Sequence, residues 1–265
     1  MNPQLLAHLS ALTAEEQALL QGAALNRDAY SSGPSFLIQS QKMIPPGQAI
    51  SLRPHTRFVS FPMHRHDYVE IMYMLQGQAE HTMEDGETIL LRAGEILMMN
   101  CHTAHAIACC GENDVGVNLI VLPAFFDFAL EMVGSGSTLG CFLMDALRAG
   151  EKEVPYLYFQ VAQVPEIQSV MESMLLSLLA HPAGSQLIHK TEMTLLFLHL
   201  MQNARHMALS SLHRGNALAV SLLQEIHQNY QTLSFADFAA AHGVSAAYVS
   251  KLMREATGKT CTELL

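Results

Sequence analysis

From about Ser35 to Val121 the chain runs in short apolar stretches broken by turn chemistry: "MIPPGQ", "QGQ", "MEDGET", "LRAGE" and "CGENDVG". Closely spaced strands with such punctuation predict an antiparallel barrel or sandwich. From Pro165 onward the apolar positions recur at helical intervals. "PEIQSVMESMLLSLLAH" predicts one helix that stops at Pro182, and "SQLIHKTEMTLLFLHLMQNARHM" predicts another. "SSLHRGN" reads as a linker, and the last fifty residues hold several shorter helices. At the start, Thr13 with Glu16 makes a capping box and Gly22 a stop, predicting a short surface helix. The fold class is α+β.

Composition narrows this picture. The 265 residues suggest about two domains, and half of them are apolar, enough for a sizeable core. A formal net charge of −10 argues against a general nucleic-acid coat or a membrane-surface protein, both of which need a positive field. Cys101, Cys109, Cys110, Cys141 and Cys261 lack CxxC spacing and read as reduced thiols. There is no basic leader, and no apolar run approaches the roughly twenty residues of a membrane span. The expectation is a cytoplasmic protein with no membrane partner.

Two segments carry chemistry. In "FPMHRHDYVEIMYMLQG", Phe61 to Gly77, a strand would turn His64, His66 and Glu70 to one face and Val69, Ile71 and Tyr73 to the other. Imidazoles and a carboxylate so placed can hold a metal ion, hold a polar ligand, or simply wall a barrel. In "TLSFADFAAAHGVSAAYVSKLMREATGKTCTELL", Ser234 caps a helix with Phe235, Phe238 and Ala239 on its buried side. Gly243 supplies a turn, and Ser245 caps a second helix that buries Val249 and Leu252 and ends at Gly258. This is the grammar of a helix-turn-helix, whose second helix can enter the major groove.

The pattern H-x-H-x3-E-x6-G resembles the first motif of the cupin family, a jelly-roll barrel, over roughly Ser35 to Val121. The resemblance extends to the second motif at Gly94 and His105, with Asn100, His102 and Cys109 where proline, glycine and asparagine would stand. It implies His64, His66, Glu70 and His105 as possible metal ligands. The altered turn is expected to misaim His105, which favours a metal-free site. A cupin followed by helices and "A..HGVS..YVSKL...ATG" resembles the AraC/XylS family of bacterial transcription regulators.

That second resemblance implies residues 1–164 as effector-binding domain, 165–212 as helical linker and 213–265 as part of a DNA-binding domain. It implies a small-molecule effector, often a sugar, bound by His64, His66, Glu70, Tyr73, His81 and His105. Operator DNA would meet base-edge contacts from Ala247, Ser250 and Lys251, and phosphate contacts from Ser245, Tyr248 and Arg254. RNA polymerase is a further partner in such a regulator. The stripes Met171, Met174, Leu175, Leu178, Leu179 and Leu195, Leu196, Leu198, His199, Met201 exceed one contact face, and with the resemblance they predict a homodimer. The family carries a second helix-turn-helix joined by a connecting helix, and Leu265 is expected to fall just inside that connecting helix. From Asn216 onward three basic residues stand against four acidic ones, so this half-unit alone is expected to bind DNA feebly. A regulator is expected rather than an enzyme. The alternatives are a metal-dependent cupin dioxygenase or isomerase, and a truncated regulator acting by dimerisation.

Overall fold

The computed structural model describes residues 2–33, 35–129, 156–180, 185–203, 206–209, 214–229 and 232–264. Cys141, the stop at Pro182 and most of "SSLHRGN" lie outside them. The chain opens with α1 (Pro3–Ser10) and α2 (Ala14–Leu20), then β1 (Leu37–Ile38), α3 (Ser40–Met43) and β2 (Ile50–Pro54). The run β3 (Phe61–His66), β4 (Val69–Gln76), β5 (Gln78–Met83), β6 (Thr88–Arg92), β7 (Ile96–Met99), β8 (His105–Ile107) and β9 (Val115–Val121) follows. Then come β10 (Tyr156–Phe159), α4 (Pro165–Ala180), α5 (Gln186–Gln202) and β11 (Met207–Leu209). The C-terminal helices are α6 (Arg214–Asn229), α7 (Phe235–Ala241), α8 (Ala246–Thr257) and α9 (Cys261–Leu264).

The strands make two sheets, ordered β1-β3-β8-β5-β6 and β11-β10-β7-β4-β9-β2. Their facing surfaces enclose a methionine-rich interior that includes Met72, Met74, Met83, Met99 and Leu97. The outer face of the six-stranded sheet is buried too. Val69, Ile71, Tyr73 and Leu75 of β4 pack in one cluster with Met171, Met174 and Leu175 of α4 and Leu196 and Phe197 of α5. Each such side chain contributes about 1.5–3 kcal/mol of transfer free energy. A strand buried on both faces reads as a continuous apolar run, as β4 does. The sheet also extends past the expected Ser35–Val121 region: β10 pairs with β7, and β11 pairs with β10 from within the expected linker.

The motif glycines are dictated by close approach. Gly77 has φ 72°, and a Cβ there would lie 2.3 Å from Asp114 Oδ1. Gly94 has φ 81°, and its Cβ would lie 2.8 Å from Ala162 Cα. Both positions need left-handed backbone and space that only glycine leaves.

The N-terminal arm is clamped to the barrel. Thr13 and Glu16 form the expected capping box. The Glu16 carboxylate also accepts from Arg57 Nε (2.7 Å), Arg57 Nη2 (3.1 Å) and the Arg57 backbone N–H (3.1 Å). Arg57 donates further to the Ser10 and Glu112 carbonyls, and both charged side chains are almost wholly buried. Burial raises the Glu16 carboxyl, but the bonds from Arg57 and Thr13 outweigh it and lower the group overall.

At the other end, Phe238 and Ala239 of α7 and Val249, Leu252 and Met253 of α8 pack on Ala219, Leu222 and Leu223 of α6, in continuity with the outer cluster of the barrel. Among the described residues no helix is long and apolar enough to cross a membrane.

Candidate functional site in the barrel and the helix-turn-helix

The alternation of β3 and β4 brings four of the expected groups together. A register irregularity between Phe61 and His64 lets both point inward, while Arg65 between the histidines is exposed. His64 and His66 thus project from β3 and Glu70 from β4 across the interior. His105 sits opposite His64 in the β3–β8 ladder. One ring nitrogen of each of His64, His66 and His105 lies within 4.8 Å of the others. Two ligands around one ion at about 2.1 Å stand about 3–4 Å apart, so the imidazoles are near a shared-ion geometry.

The altered second motif does not misaim His105, contrary to expectation. Buried Asn100 replaces the missing proline–glycine turn: its Oδ1 accepts from the His102 N–H and the Thr103 hydroxyl, both at 3.0 Å. His102 is exposed, and His105 is fully buried.

Hydrogen-bond accounting exposes a deficit. The Pro62 carbonyl can only accept, so His64 Nδ1, 2.8 Å away, carries the proton and Nε2 presents a lone pair. His105 Nε2 faces that lone pair at 2.9 Å, and its Nδ1 lies 2.6 Å from Met99 Sδ. Either His105 donates across the 2.9 Å gap, or the two nitrogens share a cation. Glu70 Oε2 pairs with His66 Nε2 at 3.2 Å and lies 3.7 Å from His105 Nε2, while His66 Nδ1 has no hydrogen-bond partner. Such orphaned buried atoms are rare, and a water or an ion at this place would satisfy them.

The electrostatics agree. Burial pushes His64 down to about 4, His81 down to about 3 and His105 well below the usual imidazole range. Neutral imidazoles are the form that ligates metal. Burial would raise Glu70, but the attraction of His66 outweighs it and holds the carboxyl down to about 2. Three imidazoles and one carboxylate fit a divalent transition ion, which when bound would supply a Lewis-acid centre with open positions. Beside this centre lies a chamber of about 20 Å³ lined by Glu70, His64, His55, Asn118, Tyr68 and Tyr30, among others. It has room for about one water or ion. A sugar would require its walls to move.

Tyr73 is not part of this site. It shares the odd-numbered face of β4, so it points away from the barrel interior and its hydroxyl donates to Gln168 Oε1 on α4 at 2.6 Å. His81 does face the interior, its ring centroid 5.3 Å from that of His105. Sequence reasoning missed His55, which is buried and lines the chamber from the segment after β2. Nothing in "RPHTRF" signals that role.

The helix-turn-helix forms as its caps predict. The Ser234 hydroxyl accepts from the Asp237 N–H (3.3 Å) and the Ser245 hydroxyl from the Tyr248 N–H (3.1 Å). Gly243 and Gly258 have φ 67° and 71°. Ser245, Ala247, Tyr248, Lys251 and Arg254 are exposed along α8 and its cap, and Lys251 Nζ lies 3.7 Å from Glu255 Oε1. Ser250 departs from expectation: it is partly buried, not exposed like Ala247 and Lys251.

The barrel is a cupin domain: the cupin domain family model matches residues 44–121. Helices follow it, giving a mixed α+β chain. No curated protein matches the sequence. Among solved structures, the chain is similar to ToxT of Vibrio cholerae with a bound unsaturated fatty acid, at 11% identity and TM-score 0.41 over 81% of this chain and 75% of that one. It is similar to the AraC-like transcriptional activator CuxR at 11% identity and TM-score 0.33, over 75% and 64%. A protein of Neisseria meningitidis matches at 14% identity and TM-score 0.28, over 46% and 99%.

Proposed function

We propose that this chain is a DNA-binding transcription regulator whose barrel centre is the effector site. The carrying observation is the helix-turn-helix at 234–258, packed into the cluster that also covers the outer face of the barrel sheet. A buried ligand centre and a DNA-reading helix in one packed body are the two parts a sensor needs. The chamber accommodates an ion or a water, so a divalent metal, alone or as the seat of an organic effector, suits it better than a sugar by itself. Exposed Leu187, Ile188, Leu195 and Leu198 on α5, with Leu176 on α4, leave apolar surface that supports a homodimer. Operator DNA is the macromolecular partner, and a cytoplasmic location is part of this reading.

The test is selection of bound duplexes from a random pool, with and without added zinc, nickel, manganese or iron. Enrichment of one sequence pattern, altered by metal and abolished by Lys251→Ala with Arg254→Ala, supports the reading. A pool that stays random under every condition, also for the chain extended by a complete second helix-turn-helix, rejects it. The second reading, a metal-dependent cupin enzyme, is favoured by the convergence of His64, His66 and His105. Elemental analysis of untagged protein and of a His64→Ala/His66→Ala variant measures the metal first. A metal-loaded protein that selects no DNA moves the balance to the enzyme.

A further inference from the structure

Three residues that line the barrel chamber, Tyr30, Arg53 and Thr56, turn their donors on one carboxylate, that of Glu15 in the first turn of α2. The Tyr30 hydroxyl lies 2.7 and 2.8 Å from its two oxygens. Oε2 also accepts from Arg53 Nη2 at 2.9 Å and from the Thr56 hydroxyl at 3.2 Å. The donors are held in place by the barrel itself. Tyr30 is buried edge-on to Phe36 and Phe61, and its hydroxyl stands 3.2 Å from that of buried Thr56. The Arg53 guanidinium lies over the Tyr30 ring, 4.7 Å from the centroid, and Nη2 donates to the Tyr30 hydroxyl at 2.9 Å. Its Nη1 meets Met43 Sδ at 3.2 Å. None of these supporting contacts involves Glu15.

Glu15 is the loose member of the group. Its side chain is 23% exposed, against 1% for Glu16, which is locked to Arg57 and fixes the backbone of α2. A turn of the Glu15 side chain into solvent would leave a cation and two hydroxyls facing the chamber, with the arm still clamped. Asn118, the ladder partner of Arg53 in β9, lines the same chamber, and its buried Oδ1 has no hydrogen-bond partner. A buried acceptor left over beside a row of donors is what a small polar guest would complete.

We propose that Tyr30, Arg53 and Thr56 form a receptor for a small carboxylate, and that Glu15 is its tethered occupant, displaced when the free acid binds. Planar, two-oxygen anions match a guanidinium with a hydroxyl beside it, and charge-assisted bonds of this kind are the strong ones. The adjoining chamber of about 20 Å³ holds about one water-sized group, so an acetate-sized acid seats its methyl there. A tethered competitor keeps the cradle closed until the free acid is abundant, which sets a threshold for the response. The acid's role as effector rests on the regulator reading; its binding does not, and is measured without DNA.

The experiment titrates acetate into the full chain, stripped of metal and then freed of chelator, at constant ionic strength with chloride as the balancing ion. Binding is read from the line broadening of isotope-labelled acetate and from the rise in unfolding temperature that a ligand of the folded state produces. Glu15→Ala removes the tethered occupant and should tighten acetate binding at least about tenfold, as for a wild-type cradle open about a tenth of the time or less. Glu15→Ala/Arg53→Met should lose that binding, and sulfate should bind Glu15→Ala more weakly than acetate. In the wild-type chain, isotope-filtered nuclear Overhauser effects should run from the acetate methyl to the Tyr30 ring, a result that needs no variant to fold. Equal acetate affinity with and without Glu15, binding that survives Arg53→Met, sulfate as tight as acetate, or no contact with Tyr30 overturns the proposal. Any of these leaves a DNA-selection result standing, and a random DNA pool leaves the acetate site standing.

Discussion

Acid should destabilise the metal-free protein well above the pH at which its carboxylates protonate. Burial pushes His55 and His64 down to about 4 and His81 to about 3, with His105 lower than the usual range as well. In the unfolded chain each titrates near about 6.5. Because the folded values lie below the unfolded ones, the unfolded state binds more protons between them. The stability is complete above about pH 6.5 and is lost as pH falls toward the folded values. A displacement from 6.5 to about 4 is worth about 3 kcal/mol per histidine at full effect. Even at half that size, His55, His64 and His81 together would remove about 5 kcal/mol, comparable with the whole stability of many proteins, and His105 acts in the same direction. Glu70 adds a separate loss further down, since its lowered carboxyl contributes stability above about 4.5 that disappears toward about 2. The assay is urea unfolding followed by far-UV circular dichroism in chelator-containing buffer, from about pH 7.5 to about pH 5. The unfolding free energy should fall by about 4 kcal/mol per pH unit once about three extra protons separate the two states. Constant stability across that range would mean the histidines are already protonated or reach solvent, and would refute the closed barrel centre.

Glu16→Gln strands the buried Arg57 guanidinium and should cost about 3–5 kcal/mol in denaturant unfolding; a loss under about 1 kcal/mol would make the clamp equivalent to a surface pair. Tyr73→Phe should cost about 1 kcal/mol through the lost bond to Gln168 and leave metal content unchanged, whereas lost metal would return Tyr73 to the barrel site. With a selected operator in hand, Lys251→Ala should relax preference at one base pair by about 1–3 kcal/mol, while Arg254→Ala should weaken all sequences alike and flatten the salt dependence. Leu187→Glu with Leu195→Glu should convert a dimer to monomer in sedimentation velocity, and an unchanged mass would remove α5 from the interface.

Local rules carried the sequence reading a long way. The spacing of His64, His66 and Glu70 could be read because a strand's period of two is rigid, and it placed all three inside the barrel. Caps and glycines around Ser234, Gly243, Ser245 and Gly258 marked the helix-turn-helix, since capping is decided within four residues. What could not be read depended on contacts distant in sequence. Tyr73 went astray although alternation already opposed it to Glu70, because β4 is buried on both faces and its composition does not reveal which side is the site. The aim of His105 was misjudged because the family's turn chemistry was missing, while the Asn100 side chain ties down the turn through His102 and Thr103. Arg57 meets Glu16, and His55 joins Glu70 and His64 around one chamber, only after two sheets and an arm have folded around them.

If the proposed regulator reading holds, the ligand must favour one of two packings, because a ligand that meets both states equally shifts nothing. β4 is where such a difference would begin. Its even-numbered residues put Glu70 beside His66 and His105 and Met72 and Met74 into the interior cluster, and its odd-numbered residues put Val69, Ile71, Tyr73 and Leu75 into the outer cluster. That cluster runs without a break through Met174 and Phe197 to Leu222, Phe238 and Val249, the last of which holds α8 in place. A close-packed layer transmits a displacement rather than absorbing it. Drawing Glu70 toward an ion would thus press on the same strand that supports α4, and through it the helices beneath α8. Contiguity alone is not coupling. The deciding measurement compares metal affinity with and without bound DNA, because linkage requires any effect of metal on DNA affinity to return as an equal effect of DNA on metal affinity.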